Sequence, residues 1–304
     1  MRSVWKRVAA GVAVVVCVVI AGGGAYVAAQ TSAFDASMDR VYGVPPPVVQ
    51  RSTDAAVLAR GKHVAESMAG CTTRQCHGAD LGGGEPIEMG PVGLLTGPNI
   101  SAGGLGAAYT DGELARLIKH GVKKDGRSLR FMPVQDFSWL PDDDVAAVVS
   151  YLRTVPAVDR PSGATTIKPL GKVLDRKDLL VLDVARHIDH DHPVEAVPRA
   201  PTAEYGAFVA RLCSGCHGEQ FSGGKIPGAP AAMPIPPNLT PDATGLKAWA
   251  YDDFARLLDT GVRKNGKQLD PFMPLDAVGK LDDLERHALW SYLQALPARP
   301  FGGR

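Results

Sequence analysis

"LCSGCHGEQFSGG", residues 212–224, decides how this chain is read. Cys213 and Cys216 stand two residues apart, His217 follows at once, and Gly218 and the pair Gly223-Gly224 come after. An earlier stretch, "CTTRQCHGADLGGG" (71–84), repeats the plan with a wider gap: Cys71, Cys76, His77, Gly78 and Gly83-Gly84. Downstream the correspondence continues. "GPNI" (97–100) answers "PPNLT" (236–240), and "YTDGELARLIKHGVKKDGRSLRFMP" (109–133) answers "AYDDFARLLDTGVRKNGKQLDPFMP" (250–274). "LPDDDVAAVVSYLRTVP" (140–156) answers "KLDDLERHALWSYLQALP" (280–297). An internal repeat of roughly a hundred residues with every landmark in order divides the chain into two like domains.

The spacing Cys-x-x-Cys-His sets two thiols to form thioethers to a haem and one imidazole to meet its iron. In the first copy four residues separate the cysteines. A zinc site would need four ligands; Cys71, Cys76 and His77 supply three, and the second copy has the regular haem spacing. The first motif is therefore read as a haem site with a longer loop. Cys76-His77 lies closest to the iron, so the extra residues are expected to bulge away at Cys71. Four of the five cysteines are used in this way, which leaves no pair for a disulfide.

The fifth, Cys17, lies in "GVAVVVCVVIAGGG" and is read as lipid-facing or signal-core. Arg2, Lys6 and Arg7 precede a run from Val8 to Ala29 without a charge, about the ~20 residues that span a bilayer. The basic flank keeps the N-terminus in the cytoplasm and sends the rest outward. Cleavage after Val27-Ala28-Ala29 competes with an uncleaved anchor, and the anchor is favoured because the run exceeds a signal-peptide core. With 33 basic and 32 acidic residues and a net charge of +1, no large field argues for a nucleic-acid partner.

The expected organisation is a transmembrane anchor or signal (1–29), a proline-rich stalk (30–53) in extended form, domain one (54–158), a connector (159–200) and domain two (201–304). Asp54 is placed to cap a helix from Ala55 to Gly70, Thr110 or Asp111 the next, which Gly121 stops, and Pro141 opens a third. The glycine-rich 82–106 reads as loop. A haem accounts for such long aperiodic loops, since they wrap a large apolar cofactor instead of a core of their own.

Each domain's order of helix, Cys-His motif, glycine-rich loop, Pro-Asn, helix, Met-Pro and closing helix resembles the class I cytochromes c. The whole is similar to membrane-anchored dihaem cytochromes c, including cytochrome subunits of periplasmic alcohol and sugar-acid dehydrogenases. The fold this implies is all-α, with two tandem class I cytochrome c domains behind an N-terminal transmembrane helix. The resemblance implies two covalently attached haems c, with His77 and His217 as proximal ligands. It makes Met132 and Met273 the distal ligands, 55 and 56 residues past their histidines and each followed by proline. Met89 and Met233 are rivals that align poorly, and Met68 reads as core. Pro98 and Pro237 match the proline whose carbonyl accepts the histidine Nδ1 proton. Asn99 and Asn238 are candidates to reach a propionate, and Lys123, Arg127, Arg263 and Lys267 to neutralise one or meet a partner. Gly61 and Gly206, with Tyr151 and Tyr292, match a close crossing of the terminal helices. Trp139, Trp249 and Trp290 read as packing. His187, His190 and His192 read as a solvated strip, and His63, His120 and His287 as surface.

With histidine and methionine on both irons neither metal has an open position. The expected function is electron transfer and not catalysis. The donor would be a dehydrogenase or quinol-oxidising complex, and the acceptor a terminal oxidase or small soluble cytochrome, on the periplasmic face of a bacterial cytoplasmic membrane. The alternative is a dihaem enzyme such as a peroxidase, with one iron open. A thiosulfate oxidiser would need a cysteine ligand, and the spare one lies in the anchor.

Overall fold

The computed structural model describes residues 2–192, 194, 196–227, 229 and 233–304. Helix α1 (Arg2–Met38) is 37 residues long. Its described side chains are exposed from Val4 to Ala29, and protein begins to cover it at Gln30, where the apolar run has just ended. Beyond that point Phe34 and Met38 are buried against Leu95 and Leu182.

The stretch expected to be a stalk is instead the end of this helix followed by a strap across domain one. Tyr42 N donates to the Gly126 carbonyl at 2.8 Å, the Arg116 guanidinium to the Val44 carbonyl at 3.0 Å, and Ser52 N to Ser150 Oγ at 3.1 Å. Arg51 forks onto Asp111 with two bonds of 2.9 Å. Prolines 45–47 hold this segment extended and leave its carbonyls unclaimed by any local ladder, so a neighbouring surface takes them. Residues 42–52 are thus tied to domain one at several points.

Domain one contains α2 (Ala55–His63), continued by a π-helical turn (Val64–Met68), then α3 (Asp111–His120) and α4 (Asp142–Leu152). Asp54 caps α2 by accepting from Ala56 N and Val57 N. Thr110 and Glu113 form a capping box on α3, and Gly121, at φ 65°, ends it left-handed. The glycine-rich loop carries a feature the sequence did not signal: β1 (Ile87–Glu88), β2 (Gly93–Leu95) and, from the connector, β3 (Thr166–Ile167) form a small antiparallel sheet in the order β1-β2-β3. The connector also holds α5 (Pro169–Arg176), which lies along α1. Domain two contains α6 (Ala203–His217), α7 (Tyr251–Thr260), α8 (Leu275–Val278) and α9 (Asp283–Ala295).

In both domains the first and last helices cross at a glycine. A Cβ on Gly61 would lie 2.0 Å from the Ala147 carbonyl oxygen, and one on Gly206 1.9 Å from that of Ala288. Backbone meets backbone there, as expected. The domains are not separate bodies. One cluster of buried apolar side chains runs from Val64, Met68 and Leu140 through Trp139 to Tyr205, Phe208 and Leu289, with the Trp139 ring edge-on to Phe208 at 4.4 Å between centroids.

Candidate haem sites

His217 ends α6 with Cys213 and Cys216 on the same last turns. His217 Nδ1 lies 2.9 Å from the Pro237 carbonyl oxygen, and His77 Nδ1 lies 2.8 Å from that of Pro98. A proton on Nδ1 leaves Nε2 as the free, metal-ready nitrogen. Burial lowers the pKa of both histidines, against the opposing pull of those carbonyls, so each imidazole is neutral as a ligand must be. Burial pushes the Cys71 and Cys213 thiols up to about 12. None of the four motif cysteines is in a disulfide.

The loops around the two motifs match bond for bond. Gly83 N donates to the His77 carbonyl at 2.9 Å, as Gly223 N does to that of His217 at 3.0 Å. Leu81 and Phe221, each four residues past its histidine, both take φ 57°. That strain at equivalent non-glycine positions is kept twice. Behind Cys76 the backbone is so close that a Cβ on Gly97 would lie 1.4 Å from its carbonyl oxygen, and one on Gly84 2.3 Å. These residues form a tight cradle that suits a covalently held haem. Met132 and Met273 are both half-buried against the shared core.

The longer first motif differs locally. In domain two the helix carries through to the histidine, whereas in domain one the backbone widens to a π turn and leaves the helix, with Cys71 N bonding Ala65 O and His77 N bonding Cys71 O. The extra residues do leave the helix at Cys71, and of these Arg74 is exposed while the threonines turn inward. Thr72 and Thr73 are buried, and Arg74 N donates to Asp276 Oδ2 of domain two at 3.2 Å. The reciprocal contact exists: a Cβ on Gly215, between the cysteines of the second motif, would lie 3.3 Å from both carboxylate oxygens of Asp136. Each domain's attachment loop thus meets the acid that follows the other's Met-Pro. Burial pushes the Asp136 carboxyl up to about 7.

Several expected roles change. Asn99 and Asn238 are not available to a propionate. Asn99 Nδ2 donates to the Val158 and Arg160 carbonyls at 2.8 and 2.9 Å, while its Oδ1 accepts from Ser101 N and Oγ. Asn238 does the same with Arg299 O, Thr244 Oγ1 and Thr240. Both amides staple the Pro-Asn loop to the segment leaving the closing helix. Lys123 pairs with Asp125 and Arg127 with Asp39. His63 is no surface residue: its Nε2 is 2.8 Å from Glu285 Oε2 of domain two. His120 stacks near His190, their Nδ1 atoms 3.3 Å apart.

The sequence reading missed Asp136, Asp276 and Glu285. The first two had a signal, an acid three or four residues after the Met in each repeat. Glu285 has none beyond its place in the α9 capping box.

Two separate segments, residues 58–156 and 204–297, match the family model described as cytochrome c. The chain belongs to the cytochrome c family. Membership makes covalently bound haem c its cofactor, the group with which such domains carry electrons. This cytochrome is similar to the fructose dehydrogenase cytochrome subunit of Gluconobacter japonicus, 26% identical over 81% of this chain and 54% of the relative. It is 27% identical to the cytochrome c subunit of the quinone-dependent alcohol dehydrogenase of Gluconacetobacter polyoxogenes, over 81% of this chain and 57% of that one. A shorter match, 36% identical over 29% of the chain and 21% of the relative, is to the gluconate 2-dehydrogenase cytochrome c subunit of Pantoea cypripedii. The chain spans about half the length of the first and second of these relatives.

Proposed function

We propose that the cytochrome holds two haems c, one per repeat, with His77 and Met132 on the first iron and His217 and Met273 on the second, and that it relays electrons for a periplasmic dehydrogenase. The observation that carries this reading is the paired histidine-to-proline-carbonyl bond, 2.8 and 2.9 Å, built twice by the same loop. Haem c supplies a one-electron iron couple when bound. The chain's residues do the rest. The Pro98 and Pro237 carbonyls orient each imidazole and raise its basicity. The cysteines fix the ring's edge, and buried apolar side chains keep water from it. Both Cys71 and Cys76 take up a thioether despite the wider spacing.

The shared core and the reciprocal loop contacts hold the two sites at one separation, which favours transfer between them over two independent shuttles. The donor is a dehydrogenase or quinol-oxidising complex, and the acceptor a terminal oxidase or small cytochrome. Helix α1 spans the cytoplasmic membrane and the haem domains lie outside it. Phe131, beside Met132, packs with Phe34 and Met38 of α1's extension, so the first methionine loop is the membrane-side one.

The test is the oxidised full-length holoprotein: haem per chain by mass spectrometry, and the methionine-to-iron charge-transfer band by magnetic circular dichroism. Two haems with the full band are expected. One haem per chain would overturn the reading of the first motif, and half the band would mean one iron lacks its methionine and could bind substrate.

A further inference from the structure

α1 and α5 run side by side and antiparallel. Near the outer end of α1 the Lys172 ammonium is 2.6 Å from Asp35; further down, Lys177 stands over the Tyr26 ring, 5.5 Å from its centroid. Along α1 the apolar run from Val8 to Ala29 measures about 33 Å at ~1.5 Å per residue, which matches a hydrocarbon layer of about 30 Å. On that scale Asp35 stands about 9 Å above the last apolar residue and Tyr26 about 4.5 Å below it. α5 therefore descends to the boundary of the hydrocarbon, and the turn that follows it, Arg176 to Leu179, lies at headgroup height. Tyrosine is a common residue at that level.

The composition of this turn suits such a place. Leu179 is 44% exposed, and Lys177 is exposed beside it. Among the described residues neither Arg176 nor Lys177 has a carboxylate partner. The acid in the turn, Asp178, is held by Arg186 at 3.1 Å. An exposed leucine beside basic side chains that no carboxylate claims, at the end of a helix packed along α1, gives the ingredients of an interfacial segment, an apolar group in the acyl boundary and basic groups among phosphates.

We propose that α5 and the turn after it form a foot seated on the outer surface of an anionic bilayer, Leu179 dipping below the headgroups and Arg176 and Lys177 meeting lipid phosphates. The inference rests on the reading of α1 as a span. With one helix alone a domain can rotate about its anchor; a second contact beside it fixes the tilt. The foot would then hold domain one, and its Met132 loop, at a set height for a membrane-bound redox partner.

The experiment uses the full-length holoprotein in nanodiscs with anionic phosphatidylglycerol or zwitterionic phosphatidylcholine. A nitroxide on native Cys17 reports whether α1 spans. A nitroxide on Leu179→Cys in a Cys17→Ser background reports the foot, and one on Asp252→Cys in the same background reports domain two. Each is read by electron paramagnetic resonance as accessibility to oxygen against a water-soluble nickel chelate. The expected result is that residue 179 favours oxygen several-fold in the anionic discs, less so in the zwitterionic ones and in the variant carrying Arg176→Glu and Lys177→Glu, while residue 252 favours the chelate. Residue 179 as aqueous as 252 with Cys17 in lipid overturns the foot, and points to a protein partner for the turn. Equal contact in both lipids overturns its reading of headgroup charge. Cys17 outside lipid, or missing from the mature chain, overturns the span itself.

Discussion

Gly206→Ala sets two physical effects against each other. In an open helix the change stabilises, because alanine exceeds glycine in helix propensity by about 1 kcal/mol. Here the new Cβ would lie 1.9 Å from Ala288 O, 2.5 Å from its carbonyl carbon and 2.7 Å from Tyr292 Cβ. A tolerable carbon-to-oxygen contact is about 3.3 Å, so α6 and α9 must separate by more than an ångström where they touch. The obstructing atoms are backbone and have no rotamer to change. Overpacking costs typically about 1–3 kcal/mol, and this contact belongs at the top of that range. After the propensity gain the net loss is about 2 kcal/mol. For a chain of 304 residues that lowers the melting midpoint by about 3 °C. The assay is thermal unfolding of the full-length holoprotein in detergent, followed by far-UV ellipticity. A midpoint that stays or rises would refute the argument, because it would mean that propensity outweighs the crossing.

Asn99→Ala removes four buried hydrogen bonds that pin the Pro98 loop, and at about 1–3 kcal/mol per polar group left unmade it should lower the urea midpoint clearly; a haem spectrum altered with no loss of stability would instead favour a propionate role. Glu285→Ala leaves His63 without its 2.8 Å interdomain partner and Arg60 with Asp144 alone, so a loss of about 1–3 kcal/mol is expected, with faster proteolysis in the connector as the readout. The Asp136 carboxyl is raised from 3.8 to about 7 in the fold. Between those values the folded chain keeps a proton that the unfolded chain has lost, so stability should fall as pH rises from about 4 to 7. Asp136→Asn should flatten that slope in urea titrations, and an unchanged slope would remove Asp136 as its source.

Much of the fold could be read from the repeat, because its markers are local. Caps, positive-φ glycines and the Cys-His spacing each act within a few residues, and Asp54, Thr110 and Gly121 do what their positions suggest. The close helix crossings were also readable, since a glycine facing a tyrosine-bearing helix recurs in both copies. What could not be read lies between distant segments. The strap from 39 to 53 has the composition of a free linker, and only the carbonyl partners on domain one show that it is held. Asn99 and Asn238 looked like cofactor contacts because they sit beside the Pro-His bond. Their partners, however, are carbonyls about sixty residues away, which no local pattern encodes. His63 has no repeat counterpart, so its sequence context alone reads as surface. Being unique to one repeat is what an interface between two unlike surfaces requires.

The wider spacing of the first motif gains a physical account from the interface. If both motifs kept the short helical form, the two attachment loops would present the same surface, and the pseudo-symmetric contacts with Asp136 and Asp276 would be equal. They are not. At Gly215 the carboxylate meets a loop on a regular helix end, whereas at Arg74 the inserted residues reach out to give Asp276 a backbone N–H at 3.2 Å. Thr72 joins the same contact through Lys280, which also pairs with Glu66 at 3.4 Å. The four-residue loop therefore serves domain docking on its outer side, while its cysteines are the ones proposed to hold the first haem. In the proposed two-haem relay, lengthening the loop at one site would add interdomain grip while His77 keeps the same proline-carbonyl bond that His217 makes.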